Sequence, residues 1–486
     1  MQTQYDIVIV GGGGSGLAAA VSAAENGASI LLLEKQDELG GTTGIAVGSF
    51  TANRTRMQAR EGIVDSIDDH QEDAGRFPDP EIESCNNDAL RRFFLSHSAD
   101  TLHWLMEMGL HFHGPSPEPP NRVPRMHNVV PGAKAYIATL QRRFVRDGGT
   151  IVCSAAVEKL ISANDRVSGV VANIMGSTMR FEARRGVVLA AGDYANSSSL
   201  IREHKGDRYG AIEGINPRAT GDGHRLAQSV GARLVNMDVT YGPEIRFVPP
   251  KGRTFNQLLP VSGPLAKLVG AAAGLAPKFL IDAMIRRLLV TWQHPEDALL
   301  DDGAILINAK AERFCDETVW PDREIAIADQ PDKVCYILLD ESLIERYSKW
   351  PHFISTAPKI AYAYVDDYLK LRPDVAISGS LESVASRRGL DGASMRRTVD
   401  ASNEERDRKL ASERWVLLGP AKAYFTTTEG GAAINEQFQV LDADDKPIAG
   451  LYAIGQNGLG GQILWGHGLH IAWAMTSGRL VGKQLS

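Results

Sequence analysis

Tyr5-Asp6-Ile7-Val8-Ile9-Val10 runs without a break into Gly11-Gly12-Gly13-Gly14-Ser15-Gly16 and then into the alanine-rich Leu17–Glu25. The β-branched apolar run reads as a short buried strand, the glycines as a tight turn and the alanines as a helix. Glycine is needed at three places in such a unit: at the turn, where the backbone approaches a pyrophosphate, and where helix packs on strand. The helix N-terminus adds unpaired N–H groups and a positive dipole end. A second apolar run, Ser29 to Leu33, ends in Glu34, roughly 20 residues after the glycines, where a carboxylate can accept ribose hydroxyls. The order strand, glycine turn, helix, strand, acid predicts a dinucleotide site in an α/β, Rossmann-like domain.

The next segment, Gly40-Gly41-Thr42-Thr43, extends the small-residue surface along the pyrophosphate, as a cofactor longer than NAD requires, so FAD is expected. Near the other end, Gly450-Leu451-Tyr452-Ala453-Ile454-Gly455-Gln456 reads as a buried strand running into glycines. A helix from about Leu469 to Gln484 follows. Its positive end, aimed at the flavin N1 and C2 carbonyl, would stabilise the reduced anion. The expected cofactor contacts are Gly11, Gly13, Gly14, Ser15, Gly16, Glu34, Lys35, Gly41, Thr42, Thr43, Val157, Ala191, Gly192, Asp222, Gly455, Gln456, Gly468, His470 and Ile471.

The chain has 486 residues, more than one hydrophobic core accommodates, so two domains are expected. A formal charge of −7 without long single-sign runs gives no footprint for nucleic acid. Cys85, Cys153, Cys315 and Cys335 lie far apart, with no metal, haem or iron–sulfur spacing, and read as reduced thiols. The N-terminus lacks the basic segment and cleavage site of a signal peptide, which places the protein in the cytoplasm. From about Leu258 to Trp292 the chain is unusually apolar, but Lys267, Lys278, Asp282, Arg286, Arg287, Pro264 and Pro277 interrupt it. No apolar run of ~18 residues remains to span a bilayer. The stretch reads as a buried pair of cap helices, with peripheral membrane contact or a greasy substrate surface as the alternative.

Taken in order, these segments resemble the flavoprotein family of soluble fumarate reductases, succinate dehydrogenase flavoprotein subunits and 3-ketosteroid dehydrogenases. Val187-Val188-Leu189-Ala190-Ala191-Gly192-Asp193 is similar to the family's strand-to-glycine segment, and Ala219-Thr220-Gly221-Asp222-Gly223 to its TGDG turn. Ile305-Leu306-Ile307-Asn308 with Arg313-Phe314-Cys315-Asp316-Glu317 resembles its LVN…RFxxE element, and Ser380 to Asn403 its two-helix cap segment. The resemblance implies a discontinuous FAD domain, residues 1–238 and 419–486, with an α+β capping and substrate domain at 239–418. It also implies hydride transfer between flavin N5 and a substrate carbon, with a proton exchanged at the neighbouring carbon of an activated C=C bond. Members with covalent FAD attach it through a histidine after the second glycine pair. Gly40 to Phe50 contains none, so noncovalent FAD is expected.

The catalytic set departs from the fumarate reductases. His294, in Gln293-His294-Pro295, resembles their substrate-binding histidine, and Arg323 lies near their proton-donor arginine. An alignment anchored on Pro321 puts Asp322 there instead. The family's carboxylate-binding histidine pair falls on Thr426-Thr427, and its substrate arginine on Trp465. An indole offers one N–H and a large apolar face in place of a planar five-donor fork, which suits an uncharged ring better than fumarate. His467, between two glycines, and Tyr424 are further candidates for donating to a substrate oxygen. Each has a structural alternative: His294 as a hydrogen-bonded cap residue, Arg323 as an ion-pair partner, Trp465 as core filler and His467 as part of a turn.

The leading expectation is an FAD-dependent dehydrogenase or ene-reductase for a C=C bond beside a carbonyl in a largely apolar, cyclic small molecule. Electrons would come from or go to a separate partner. The alternatives are a fumarate-reductase-like enzyme for an unsaturated monocarboxylate, anchored by His294 and Arg323, and a flavin-bound scaffold without turnover.

Overall fold

The computed structural model describes residues 2–250, 286–287, 289–291, 294–357 and 361–486. Strand Gln4–Val10 pairs in parallel with Ile30–Leu33 on one side and Ser177–Leu189 on the other, Val8 lying opposite Leu31 and Val187. Thr150–Val152 extends the sheet beyond Ile30–Leu33, and Pro447–Ala453 extends it in parallel beyond Ser177–Leu189. All four residues of Ile30–Leu33 are buried, as expected for a parallel strand covered on both faces. Helices Gly14–Ala24 and Leu469–Leu485 pack together on this sheet. The approach is close because Gly478 lacks a side chain: a Cβ there would lie 2.4 Å from the Ser15 carbonyl oxygen.

A second sheet is centred on Trp415–Phe425. Glu213–Gly214 joins it in parallel; Glu244–Phe247, Cys335–Leu339 and Ala376–Gly379 join it antiparallel. Ile305–Ile307 pairs in turn with Cys335–Leu339. Alternation along these strands feeds two cores: Leu306, Ile337, Val416 and Leu418 face one, and Ile305, Ile307, Leu338 and Leu417 the other. Gly419, where the cap was expected to end, lies within the central strand, so Gly419 to Phe425 continue the cap sheet.

Between the first two long segments of the flavin sheet, helix Ile67–Ala74 and the loop leading to strand Met126–Val130 are tied by a buried ion cluster. Arg125 is fully buried and donates to both oxygens of Asp65, at 2.7 and 2.8 Å, and to Asp73 at 2.6 Å. Arg122 adds its backbone N–H and Nε to Asp73. Burial alone would raise the Asp73 pKa, but these donors outweigh it and hold the carboxyl below its usual value.

Most of the apolar stretch from 258 to 292 lies outside the described residues; at its end Leu289 and Val290 are buried. Among the described residues no helix is long and apolar enough to cross a membrane.

Candidate active site

The glycine turn is built around Glu34. Its carboxylate accepts the Gly12 N–H at 2.7 Å and the Gln36 N–H at 2.9 Å, which leaves two of its four lone-pair positions for ribose hydroxyls. Gly40 and Gly41 lie against the turn: the Gly40 N–H donates to Gly12 O, and a Cβ at Gly41 would come within 3.3 Å of Gly13 Cα. Thr43 packs on Gly14, and Thr42 accepts from Asn216. Gly13 caps helix Gly14–Ala24 without any side-chain cap, and the first turn carries no acid, so its N–H groups and dipole face an anion site. Gly455 approaches Ser15 so closely that a Cβ would sit 2.7 Å from Ser15 Oγ. Gly468 likewise opens helix Leu469–Leu485 without a side-chain cap, with Ile471 in its first turn. A cradle of this kind, with two uncapped helix N-termini, glycines where a Cβ would clash and a buried carboxylate, fits FAD.

Other expected contacts are engaged with one another. Lys35 Nζ donates to Thr220 Oγ1 and Asp222 Oδ2, both at 2.7 Å, closing the TGDG turn onto the end of the second strand. Burial would raise the Asp222 pKa, but Lys35 reverses the shift. Val157 lies two residues beyond Ala155, whose N–H donates to Glu34 O. Ala191 and Gly192 are fixed by Asn457, which accepts the Ala191 N–H at 2.6 Å and donates to Gly192 O at 2.9 Å. Asn457 was not anticipated, although it directly follows Gln456.

Gln456 and His470 belong to a part-buried relay. Gln456 Nε2 donates to Thr427 Oγ1 at 2.6 Å and to Thr428 O, while Thr427 Oγ1 donates to Asp193. The two nitrogens of His470 meet Gln456 Oε1 at 3.0 Å and Glu429 Oε1 at 2.9 Å. Burial raises the Asp193 pKa against the hydrogen bonds that it accepts. Thr427, which stands where a carboxylate-binding histidine was expected, is thus held by the framework.

Next to this relay, residues of three chain segments, around Glu244, Thr426 and Trp465, come together as a candidate cleft. The Thr426 hydroxyl donates to Glu244 Oε2 at 3.2 Å and accepts from Arg246 at 3.4 Å, and Arg246 donates to the same Glu244 oxygen at 2.7 Å. Burial would raise the Glu244 pKa; Arg246 and then His294 outweigh it and lower it. His294 is near enough to Glu244 to contribute to that shift, and its Nδ1 lies 3.1 Å from Pro295 O. Tyr424 lies opposite Glu244 in register, so the two side chains share a face of the cap sheet. Burial, reinforced by Glu213, pushes the Tyr424 phenol up to about 12. Trp465 stands edge-to-face with Tyr241, with ring centroids 5.3 Å apart, and Trp320, half exposed, donates its indole N–H to Pro243 O. His467 Nδ1 lies 2.5 Å from Glu118 Oε1, which also accepts the His467 backbone N–H at 2.8 Å.

Arg323 and Asp322 are engaged elsewhere. Arg323 is 3 % exposed, and its guanidinium is divided among Glu324, Asp297 and Glu317 O. Despite Arg323, burial pushes the Glu324 carboxyl up to about 7. Asp322 pairs with Arg208 on the surface. Among the described residues the hydrogen bonds of Arg323 and Asp322 do not reach Glu244, Arg246, Trp465 or His467. Glu118, Tyr241, Glu244 and Arg246 complete the cleft and had not been anticipated. The Glu-x-Arg alternation of Glu244 and Arg246 in an apolar strand is the only local signal that they gave.

Comparison with known proteins finds likenesses among FAD-binding flavoproteins. A family model described as FAD binding domain matches residues 6–250 and 264–463. The NADH:fumarate oxidoreductase of Klebsiella pneumoniae is 27% identical over 99% of this chain, which spans 47% of that protein's length. A fumarate reductase (cytochrome) of Shewanella frigidimarina is 26% identical, covering 99% of this chain and 76% of its own. The vinyl phenol reductase of Lactiplantibacillus plantarum is 24% identical, covering 99% and 96%. Among solved structures, an open flavocytochrome c3 fumarate reductase superposes with a TM-score of 0.73 at 22% identity, covering 100% of this chain and 78% of that one. A 3-ketosteroid delta1-dehydrogenase from Sterolibacterium denitrificans superposes with a TM-score of 0.66 at 18% identity, covering 100% and 99%. These two likenesses concern the fold.

Proposed function

Given that the chain belongs to the FAD binding domain family of flavoproteins, we propose that it oxidises or reduces a C=C bond conjugated to an oxygen in a largely apolar, cyclic small molecule. The observation that carries this reading is the charge balance of the cleft. Arg246 is already paired with Glu244, so its guanidinium is not left for a substrate carboxylate without competition, and His467, with Nδ1 on Glu118, has only Nε2 to offer. A dicarboxylate would bring two charges into this site, and each unpaired buried charge costs several kcal/mol. The Trp465 and Tyr241 rings instead offer an apolar wall worth ~25 cal/mol per Å² of buried ring surface.

FAD, when bound, supplies hydride exchange at N5. The chain's own residues bind the dinucleotide through Glu34 and the two helix N-termini, bury the substrate ring against Trp465 and Tyr241, and present donors to its oxygen from the cleft. The vinyl phenol reductase similarity supports a ring substrate. A second reading, an unsaturated monocarboxylate, is favoured by the similarity to a urocanate reductase at 25% identity. It loses Arg323 as an anchor, since Glu324 and Asp297 take that guanidinium. Electrons are assigned to a redox partner outside these 486 residues.

Photoreduced holoprotein should be reoxidised by cyclic enones or hydroxylated styrenes and not by fumarate. Losing two charged hydrogen bonds of ~1.5–3 kcal/mol each should remove useful fumarate turnover. Trp465→Arg should admit carboxylates and impair the ring substrate. Efficient fumarate reduction by the unmodified protein would sink the reading, and inertness towards the whole panel would favour a scaffold.

We also propose that FAD is held noncovalently, on the lack of any histidine from Gly40 to Phe50. Acid precipitation should leave FAD in the supernatant. Glu34→Ala should be purified with roughly tenfold weaker FAD retention, from the loss of at least one charged hydrogen bond. Unchanged flavin content in that variant would show that Glu34 does not hold the ribose.

A further inference from the structure

His467 is built as a presented donor. Glu118, almost fully buried, takes both the backbone N–H of His467 and its ring Nδ1. With Nδ1 fixed on a carboxylate, the free ring nitrogen is Nε2, and the side chain is 57% exposed. The backbone at this point is clamped as well: Thr51 Oγ1 donates to His467 O at 2.6 Å, and Gly468 O accepts the Thr51 N–H. Trp465 lies two residues away, in a T-shaped contact with Tyr241. A solvent-facing histidine in a surface turn has no need of a buried carboxylate with two hydrogen bonds; a histidine that must hold one orientation does.

We propose that His467 Nε2 binds a ring-borne oxyanion, a phenolate or an enolate oxygen, and that Glu118 is the residue that positions it. This rests on the reading of the cleft as the substrate site. The charged groups facing His467 are Glu118 from the loop before Arg125, and Glu244 and Arg246 from the cap strand. Burial alone would lower the His467 pKa; Glu118, and then Glu244, outweigh it against the opposing Arg246 and raise it. The imidazolium therefore persists to higher pH than an ordinary histidine. As hydride adds to the far carbon of a conjugated C=C–C=O unit, negative charge collects on oxygen, and Nε2–H would donate a hydrogen bond to it.

Pentafluorophenol, ionised near neutral pH, mimics that oxygen, and pentafluoroanisole has the same ring without the charge. In calorimetric titration the FAD-loaded protein should bind the phenol at least tenfold more tightly than the anisole. His467→Gln, checked for retained FAD, should lose about tenfold or more of the phenol affinity and little of the anisole affinity. Affinity for the phenol should fall as pH rises through the raised His467 pKa. Glu118→Gln should move that fall to lower pH, a shift that a merely structural role would not produce. Equal binding of phenol and anisole by the parent protein, unchanged phenol affinity in His467→Gln, or an unmoved pH profile in Glu118→Gln would each overturn the proposal. Phenol binding that depends on His467, in a protein whose reduced flavin no enone reoxidises, would retain the oxyanion site and remove the redox reading.

Discussion

A Gly16→Val chain should be recovered without flavin and with its first helix displaced. The Cβ of any side chain at position 16 would lie 2.0 Å from the Gly11 carbonyl oxygen and 3.4 Å from Ala190. The clashing atom is backbone, on the strand side of the turn, so no rotamer change relieves it. Either helix Gly14–Ala24 moves away from Gln4–Val10 or the turn opens, and both destroy the alignment of N–H groups that the pyrophosphate requires. Flavin absorbance of the purified variant and its thermal stability with added FAD test this together. A yellow protein of parental stability would contradict the packing described.

Removal of Arg125 should have a comparable effect on stability and a separate effect on the cleft. Arg125→Met keeps most of the volume but leaves Asp65 and Asp73 buried without their main cation, at a cost of about 3–5 kcal/mol. Asp73 has a depressed folded pKa, so the stability that it contributes is complete above its unfolded value, near 3.9, and is lost as pH falls through the lower folded value. The parent should therefore lose this contribution only in acid. The variant, lacking a main cause of the depression, should start with less stability and show a weaker acid dependence. Arg125 Nη1 also donates to Asn121, whose N–H caps the Glu118 carbonyl. Detaching this loop should free His467, visible as a lowered His467 pKa by NMR. Thermal melts from pH 3 to 8, an experimental range of about five units, would separate the two effects.

The dinucleotide cradle was legible because its parts are local. Strand, glycine turn, helix, second strand and Glu34 occupy the first three dozen or so residues, and Gly11 and Gly16 are required there by backbone, Gly11 by the Ala190 carbonyl at the end of the neighbouring strand and Gly16 by the carbonyl of Gly11. Gln456 and His470 were picked out as cofactor contacts from the same pattern near the other end, but their hydrogen bonds to Thr427, Thr428 and Glu429 were not. Arg323 shows where reading by position gives out. It was itself, with Asp322 as the alternative, the residue expected to move a proton, yet its partner Glu324 is the next residue, and only the packing of helix Asp322–Ala328 turns both inward, with Asp297 across from them.

The sequence by itself determined a parallel sheet and, at its carboxyl edge, a glycine turn held by Glu34. It could do so because backbone geometry and glycine chemistry act over a few residues, and because apolar periodicity reports burial directly. The tertiary structure alone decided which charges meet in the cleft. Glu118 and His467 are 349 positions apart, and Glu244 meets Thr426 across 182. Whether a carboxylate leaves a cation free for substrate or neutralises it depends on distances of about 3 Å, since charge pairing falls off steeply once water enters between the groups. No spacing along the chain encodes such distances; they are set when the loop held by Arg125, the cap strand and the C-terminal turn close on one another.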